Sequence, residues 1–387
     1  MIPSFSIRDF DDLVTWMYVT IDDLWQQIAP LYRRPGPAPS SCSDSELLTV
    51  AVVNSLRGWE KETHLATDWA PFTHLFPRLP ERSRYNRRRR NLWRAFNQIR
   101  LIVVSLLDVS FDGQCVVDSM PIPVVGFHLA RSRSRDWDAN DADFGHCESK
   151  KQVFFGYRLH LVVTLGGLIL DFALTNPKAD EREVADTMLR ARGGGVYYGD
   201  KGYVDDEWAK ELREQAGVEM IAMRRKNQIV QLPEELQRQM ARVRQIIETV
   251  NSQLVEQMHI QRHYTHTFLG LCARLYSKLT AHTLCILLNR QLGEEHWLRI
   301  AQLVCPQPAP SAAAATLSAI AALRNRILSK WGRLVKSVAL IFFPLVSAPC
   351  TGKYALALLG GLMASSHRDL YVSRRLLNIC RLGCNRD

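Results

Sequence analysis

Two acidic residues each follow a short apolar run, and a third lies in a helical pattern rich in basic and amide side chains. Asp118 comes directly after residues 114–117, and Asp200 comes directly after residues 196–199. Glu248 is the third acid. Carboxylate oxygens are the ligands that Mg²⁺ prefers, and a pair of such ions can activate water and stabilise both oxygens of an in-line phosphoryl transfer. The three acids therefore predict one metal site for phosphodiester chemistry.

The elements around these acids must bring them together, because they are far apart along the chain. The β-branched run before Asp118 is bounded by Gly113 and by Pro121 and Pro123, which predicts a buried strand that the prolines end at Asp118. Asp200 is predicted at the end of another strand. If the two strands pair side by side, their carboxyl ends place both acids at one edge of a sheet. A long helix that begins at Pro233 is predicted to place Glu248 near these two aspartates.

The order of predicted elements gives the fold class. Three strands precede a helix, and two further strands then alternate with helices; the predicted strands are residues 114–118, 154–164, 168–174, 196–199 and 218–223. Gly166 and Gly167 favour a hairpin turn between the second and third strands. This order predicts an α/β fold with a ribonuclease-H-like mixed five-stranded sheet flanked by helices.

Three segments are predicted along the chain. Residues 1–110 read as a helical DNA-binding domain, in which Ser43 and Glu46 form a capping-box signature for a helix that begins near Asp44. Residues 111–304 form the predicted catalytic domain. Residues 305–387 follow a proline-rich and alanine-rich stretch and are predicted to be a poorly ordered or helical tail of unknown role.

The charge of the chain points to a polyanionic partner. The formal net charge is +10 and the isoelectric point is about 9.2, which is typical of nucleic-acid binding, although a basic protein without such a partner stays an alternative. Nine arginines lie between Arg78 and Arg100 against one acid. We expect this segment to contact DNA, with a solvated helix face as the alternative. The candidate DNA contacts are Arg84, Arg87, Arg88, Arg89, Arg90, Lys201 and Arg244.

The remaining composition concerns the cellular compartment. The nine cysteines are odd in number and form no paired framework, which indicates core thiols in a reducing cytosol. The first residues carry no secretory pattern. The longest apolar stretch, residues 338–350, is interrupted by Pro344 and is too short to span a bilayer. We therefore expect a cytoplasmic protein with no membrane association.

Four short motifs resemble a known family. They are Asp118-Ser119, residues 156–160, residues 199–203, and the pattern Arg244-x3-Glu248-x2-Asn251. Together they look like the catalytic core of DDE transposases from bacterial insertion sequences, over about residues 10 to 304. The segments 149–151 and 288–290 are similar to those of the insertion-sequence nine-eighty-two family within that group.

The resemblance implies a transposase that binds terminal inverted repeats, cleaves DNA and joins a 3′-hydroxyl to a target phosphate. Carried over by position, Asp118, Asp200 and Glu248 match the metal ligands. The resemblance further implies two Mg²⁺ ions, with Mn²⁺ as a substitute. The implied partners are double-stranded DNA of the element ends and target, and a second copy of the chain in a homodimeric DNA complex. It also implies a bacterial, nucleoid-associated protein.

Two positions depart from the family pattern. Ala241 stands where a tyrosine is expected, and Val255 stands where a lysine is expected. Their phosphate contacts would then pass to Arg244, Lys201 or Arg262. Two other functions stay open at this point: a metal-dependent nuclease with the same core, and a DNA-binding remnant that is inactive in transposition.

Each acid also has an ordinary interpretation. Asp118 and Asp200 could be acids that cap turns at strand ends. Glu248 could be an exposed helical glutamate, with Glu219 and Glu256 as competing candidates for the third ligand. His160 is predicted to lie in the core.

Overall fold

The computed structural model describes residues 7–32, 41–107, 113–126, 135–147, 151–224 and 231–304. The predicted tail, residues 305–387, lies outside the described residues. The helices are α1 Phe10–Ile28, α2 Asp44–Arg57, α3 Leu65–Trp69, α4 Arg82–Asn91, α5 Trp93–Leu107, α6 Arg135–Asp138, α7 Glu181–Arg192, α8 Asp206–Ala216, α9 Glu234–Ser252, α10 Phe268–Gln291 and α11 Ala301–Val304. The strands are β1 Gln114–Val125, β2 Asp143–Cys147, β3 Gln152–Thr164, β4 Ile169–Thr175, β5 Val196–Gly199 and β6 Glu219–Ala222.

The helices before β1 begin where their capping residues predict. The Ser43 side chain accepts from the backbone N–H of Glu46, and the Glu46 carboxylate accepts from the backbone N–H of Ser43, so the predicted capping box of α2 is confirmed. Gly58 ends α2 in the left-handed conformation. Helices α2 and α5 pack on α10, whose residues 271–289 are buried except for Tyr276. The helices before β1 thus share one apolar core with the elements after it.

The described strands form one mixed sheet in the order β2-β3-β1-β5-β6, with β4 also paired to β3. β3 pairs antiparallel with both β1 and β4, while β5 pairs parallel with both β1 and β6. All five predicted strands are present, and β2 is an additional strand that pairs with the first residues of β3. This mixed α/β architecture is compatible with a ribonuclease-H-like core.

The predicted end of β1 at Asp118 is wrong, because the strand continues through both prolines to Val125. β5 pairs with β1 only as far as Val116, so beyond that point no strand among the described residues pairs with the outer edge of β1. The carbonyl oxygens of Pro121 and Pro123 face this edge, where they are hydrogen-bonded to the side chains of Gln261 and His263. The nitrogen of each proline faces the same edge as its carbonyl, away from β3. The missing N–H therefore removes no hydrogen bond between β1 and β3, and the strand tolerates Pro121 and Pro123.

The long helix after Pro233 has a more irregular end than predicted. α9 runs to Ser252 and is followed by a π-helical turn, Gln253–Gln257. Met240, Val243, Ile247 and Val250 form its buried face, and α9 packs against β1. This packing places α9, which carries Glu248, next to β1, which carries Asp118.

Candidate active site

Asp118 and Asp200 are brought together by the parallel pairing of β1 and β5. Val116 is the last residue of β1 in register with β5, opposite Tyr198. Asp118 stands two residues further along β1, Asp200 follows directly after the last residue of β5, and the charge of Asp200 acts on the Asp118 carboxyl. Adjacent strands lie about 4.8 Å apart. The prediction that these two strands pair side by side is confirmed.

The residues around Asp200 explain why the chain turns there. The ring of Tyr203 packs so closely on Gly199 that a Cβ at position 199 would lie 2.8 Å from its Cδ2 atom. The Asp200 carboxylate then accepts from the backbone N–H of Gly202 at 2.8 Å and caps the turn Lys201–Tyr203. Asp200 is exposed at the end of β5, with one of its carboxylate oxygens in this bond. The turn role and the site role are thus compatible.

Helix α9 supplies three side chains from one face. Asn251 donates its amide N–H to Oδ2 of Asp118 at 2.7 Å. Glu248 lies one helical turn earlier on the same face and accepts from Nε of Arg244 at 2.6 Å. Glu248 is more than half exposed, with 58% of its side-chain surface accessible. The described residue of α9 that contacts Asp118 is therefore Asn251, while the carboxylate of Glu248 is paired with Arg244.

The environment of Asp118 disfavours its charged form. Burial raises the pKa of its carboxyl to about 6, and the like charge of Asp200 acts in the same direction. The hydrogen bond from Asn251 and the charge of Arg244 oppose the shift. The Tyr203 hydroxyl is buried with no hydrogen-bond partner among the described residues, and burial together with Asp118 and Asp200 raises its pKa. Two carboxylates held this close attract a cation.

A basic group lies beside the acid pair on the other face of the sheet. Arg158 of β3 pairs with Glu181 at the start of α7 and donates to the backbone carbonyl of His146 at 3.2 Å. Its Nη1 lies 3.5 Å from Oγ of Ser119, the neighbour of Asp118. Arg158 therefore has an acidic partner of its own in Glu181.

The oxygen atoms present fit a hard divalent cation only in part. Within the described ranges, no group of three His, Cys, Asp or Glu side chains is arranged to hold a metal ion. The pair Asp118 and Asp200 offers carboxylate oxygens, and the buried Oδ1 of Asn251 accepts no hydrogen bond from any described residue. Such a donor set, all oxygen, suits Mg²⁺ or Mn²⁺. The assignment of Glu248 as a ligand stays a prediction.

The arginine-rich segment divides into two groups. Arg88 donates to the backbone carbonyl of Cys42 and to Asp44, both at 2.8 Å. Arg89 is buried, with Nη2 donating to Oγ of Ser277 at 2.6 Å. Both predicted DNA contacts are thus engaged by the protein itself. The other predicted contacts on α4 reach solvent: Arg84 and Arg87 are exposed, and Arg90 is half-buried.

The other predicted positions are placed as follows. Lys201 and Arg262 are exposed, and Val255 packs at the edge of the core. His160 is buried and hydrogen-bonded to Thr175 at 3.0 Å, which confirms the core interpretation. No helix in the described part of the chain has the length and apolarity needed to cross a membrane.

The comparison with known families addresses the same region. Residues 110–268 match the family model described as a transposase DDE domain. This transposase DDE domain match covers less than half of the chain and extends from just before β1 to the first residue of α10. It supports a DDE transposase. Searches of curated proteins and of solved structures found no match.

Within the matched region, three site residues carried little sequence signal as site residues. Asn251 and Tyr203 each lie within a motif of the family resemblance, but neither motif shows that Asn251 contacts Asp118 or that the Tyr203 hydroxyl is buried. Arg158 lies within the 156–160 motif, but only the pairing of β1 with β3 shows that it lies near Ser119.

Proposed function

We propose that this chain is a DNA transposase of an insertion sequence, which binds terminal inverted repeats and catalyses metal-dependent cleavage and strand transfer. The observation that carries the proposal is the parallel register of β1 and β5, with Asp118 and Asp200 each two residues beyond its last pair, Val116 and Tyr198, and Asn251 of α9 hydrogen-bonded to Asp118. The transposase DDE domain match over residues 110–268 supports it.

The residues have distinct roles in this proposal. Asp118, Asp200 and Glu248 would hold the metal, and Arg244, which is paired with Glu248, would contact a DNA phosphate. The bound Mg²⁺, or Mn²⁺ in its place, supplies an activated oxygen nucleophile and neutralises the charge that develops on the phosphate. Asn251 and the Gly202 backbone N–H hold the two aspartates in place.

The finer identity belongs to the same proposal. The exposed arginines Arg84 and Arg87, with Arg90 and Lys201, bind the phosphates of the element ends and the target DNA. The chain acts as a homodimer in this complex, in the bacterial cytoplasm at the nucleoid. The motifs support a relationship to the insertion-sequence nine-eighty-two family.

The test is strand cleavage and joining by the full chain on DNA that carries both ends of its element, with Mg²⁺ present. Asp118→Asn and Asp200→Asn should each lower the rate about a thousandfold or more, because several kcal/mol of transition-state stabilisation depend on the metal site. Glu248→Gln should do the same. Glu256→Gln, an exposed acid on the following turn, is the matched control and should retain activity.

Each other outcome changes a defined part of the proposal. Activity that survives Asp118→Asn would overturn the site. Loss with Glu256→Gln but not with Glu248→Gln would move the third ligand to Glu256. Cleavage without joining would favour a nuclease, and DNA binding without cleavage by the wild-type chain would favour an inactive remnant.

A further inference from the structure

The side chain of Asn251 lies beside Asp118 and makes one of the four hydrogen bonds that an amide can make. Its Nδ2 atom donates to Oδ2 of Asp118 at 2.7 Å. Its Oδ1 atom is buried, and no described residue donates to it. A buried acceptor that is left without a partner destabilises the folded chain. A group that meets this oxygen would therefore relieve that destabilisation.

The surroundings of this oxygen indicate what kind of group that is. Asp118 lies on β1, against which α9 packs, and Asp200 directly follows the neighbouring strand β5; both present carboxylate oxygens. The nearest cation on α9, Arg244, is held by Glu248 at 2.6 Å. An amide oxygen on a side chain that contacts one of two neighbouring carboxylates adds to a donor set for a hard divalent cation and is a poor site for an anion.

We propose that Asn251 contributes its amide oxygen as a protein ligand to the divalent cation held by Asp118 and Asp200. This inference rests on the proposed function, since it concerns the same site. It assigns to α9 a neutral ligand one turn after Glu248, in contact with Asp118. The N–H of the same amide keeps the Asp118 carboxylate in position.

In the contrasting role, Asn251 does not bind the cation and only positions Asp118 through the hydrogen bond from its amide N–H. The two roles differ in what an aspartate at position 251 does. An aspartate retains an oxygen ligand but loses the N–H and places a like charge beside Asp118. A ligand role therefore predicts that aspartate preserves cation binding, whereas a positioning role predicts that aspartate is as harmful as alanine.

The experiment is a titration of the full chain with Mn²⁺, without DNA, followed by electron paramagnetic resonance of the free ion. Asn251→Ala should weaken binding about tenfold or more. Asn251→Asp should bind within about threefold of the wild-type chain or tighter. Gln245→Ala removes an amide from an exposed position of the same helix and should leave the affinity unchanged. Circular dichroism melts confirm that each variant is folded.

A second readout detects the ligand directly. Asparagine labelled with ¹³C at Cγ should give a ¹³C coupling to bound Mn²⁺ in electron-nuclear double resonance, and this coupling should disappear in Asn251→Asp. Absence of the coupling in the wild-type chain, or equal weakening by alanine and aspartate, would overturn the ligand role. Unchanged affinity in Asn251→Ala, with binding abolished in Asp118→Asn, would overturn it and leave the proposed function standing. Unchanged affinity in Asp118→Asn would instead overturn the proposed site.

Discussion

Two groups of charged side chains in this protein look alike in sequence and differ in how their charges are matched. The first is a closed network of Glu60, Glu62, Arg89, Arg274 and Lys278, which lies between the helices before β1 and α10. The second is the open site of Asp118, Asp200, Arg244, Glu248 and Asn251. Both combine acids with basic residues, yet each acid of the first is paired with a base, whereas the side-chain partner of Asp118 in the second is the amide of Asn251.

In the closed network, every acid meets a base. Glu60 is 6% exposed and binds Nη1 of Arg274 at 3.1 Å and the ammonium of Lys278. Glu62 binds Nη2 of Arg274 at 2.9 Å. Lys278 also donates to the carbonyl of Met258, just after the π-helical turn, and burial lowers its pKa to about 8. This network fastens the helices before β1 to α10.

In the open site, two like charges face each other and the basic group turns outward. Asp118 and Asp200 share a side of neighbouring strands, while Arg244 pairs with Glu248 at the surface. The contrast teaches that charge content alone does not mark a site. The open site is distinguished by a buried acid, Asp118, whose side-chain hydrogen-bond partner among the described residues is an amide and not a base.

Breaking the closed network should have the largest effect on stability. Glu60→Gln leaves Arg274 and Lys278 with less negative charge in a buried place, so the free energy of unfolding should fall by about 3–5 kcal/mol. Urea denaturation measures it, and Glu256→Gln should stay within about 0.5 kcal/mol. Adding Lys278→Met to Glu60→Gln should recover about 1 kcal/mol; no recovery would contradict the pairing.

A matched pair of arginines on α4 separates the two kinds of basic residue. Arg89→Ala removes buried hydrogen bonds and should cost about 2 kcal/mol of stability. Arg87→Ala should lower the free energy of unfolding by less than about 0.5 kcal/mol. It should also reduce, by about one unit, the slope of the logarithm of the DNA-binding constant against the logarithm of the salt concentration. Fluorescence anisotropy at several salt concentrations checks this. Equal salt slopes for Arg87→Ala and wild type would argue against a phosphate contact at this position.

Buried histidines extend the comparison to acid pH. Burial lowers the pKa of His160 and His282 to about 3 and that of His263 to about 4, from 6.5. Between these values the unfolded chain binds more protons, so stability should fall as pH drops below 6.5 and be unaffected by these groups above it. At pH 5, each histidine should lower the free energy of unfolding by about 2 kcal/mol relative to its value well above pH 6.5.

Unfolding free energies measured from pH 7 to 5 test this window. His282→Asn should flatten the slope by about one histidine's share, whatever its effect on absolute stability. The same change at the exposed His266 is the control. An unchanged slope in His282→Asn would show that this ring is not kept neutral in the folded chain.

The open site should respond to loss of charge in the opposite sense from the closed network. In buffer with a chelator, Asp118→Asn removes a desolvated charge next to Asp200 and keeps an oxygen that accepts from Asn251. The free energy of unfolding should therefore rise by about 1 kcal/mol. Thermal denaturation measures the gain. A loss comparable to that of Glu60→Gln would mean that Asp118 is neutralised within the chain.

Local sequence signals determined much of this architecture. Capping at Ser43, the glycine turn at 166–167 and the period of the apolar residues predicted the helices and the five main strands, because these signals act over a few residues. The pairing of Asp118 with Asp200 also followed from the strand order. The end of β1 did not, because whether a proline ends a strand depends on which edge its nitrogen faces.

Only the tertiary structure decided which charged residues are used by the chain itself. Arg87 and Arg89 are two positions apart in one arginine run, and neither composition nor spacing distinguishes them. The burial of Arg89 against Ser277, which is distant in sequence, makes one arginine structural and leaves the other exposed. The same reason applies to Asn251. Its contact with Asp118 exists because α9 packs on β1, and such long-range packing leaves no local pattern in the sequence.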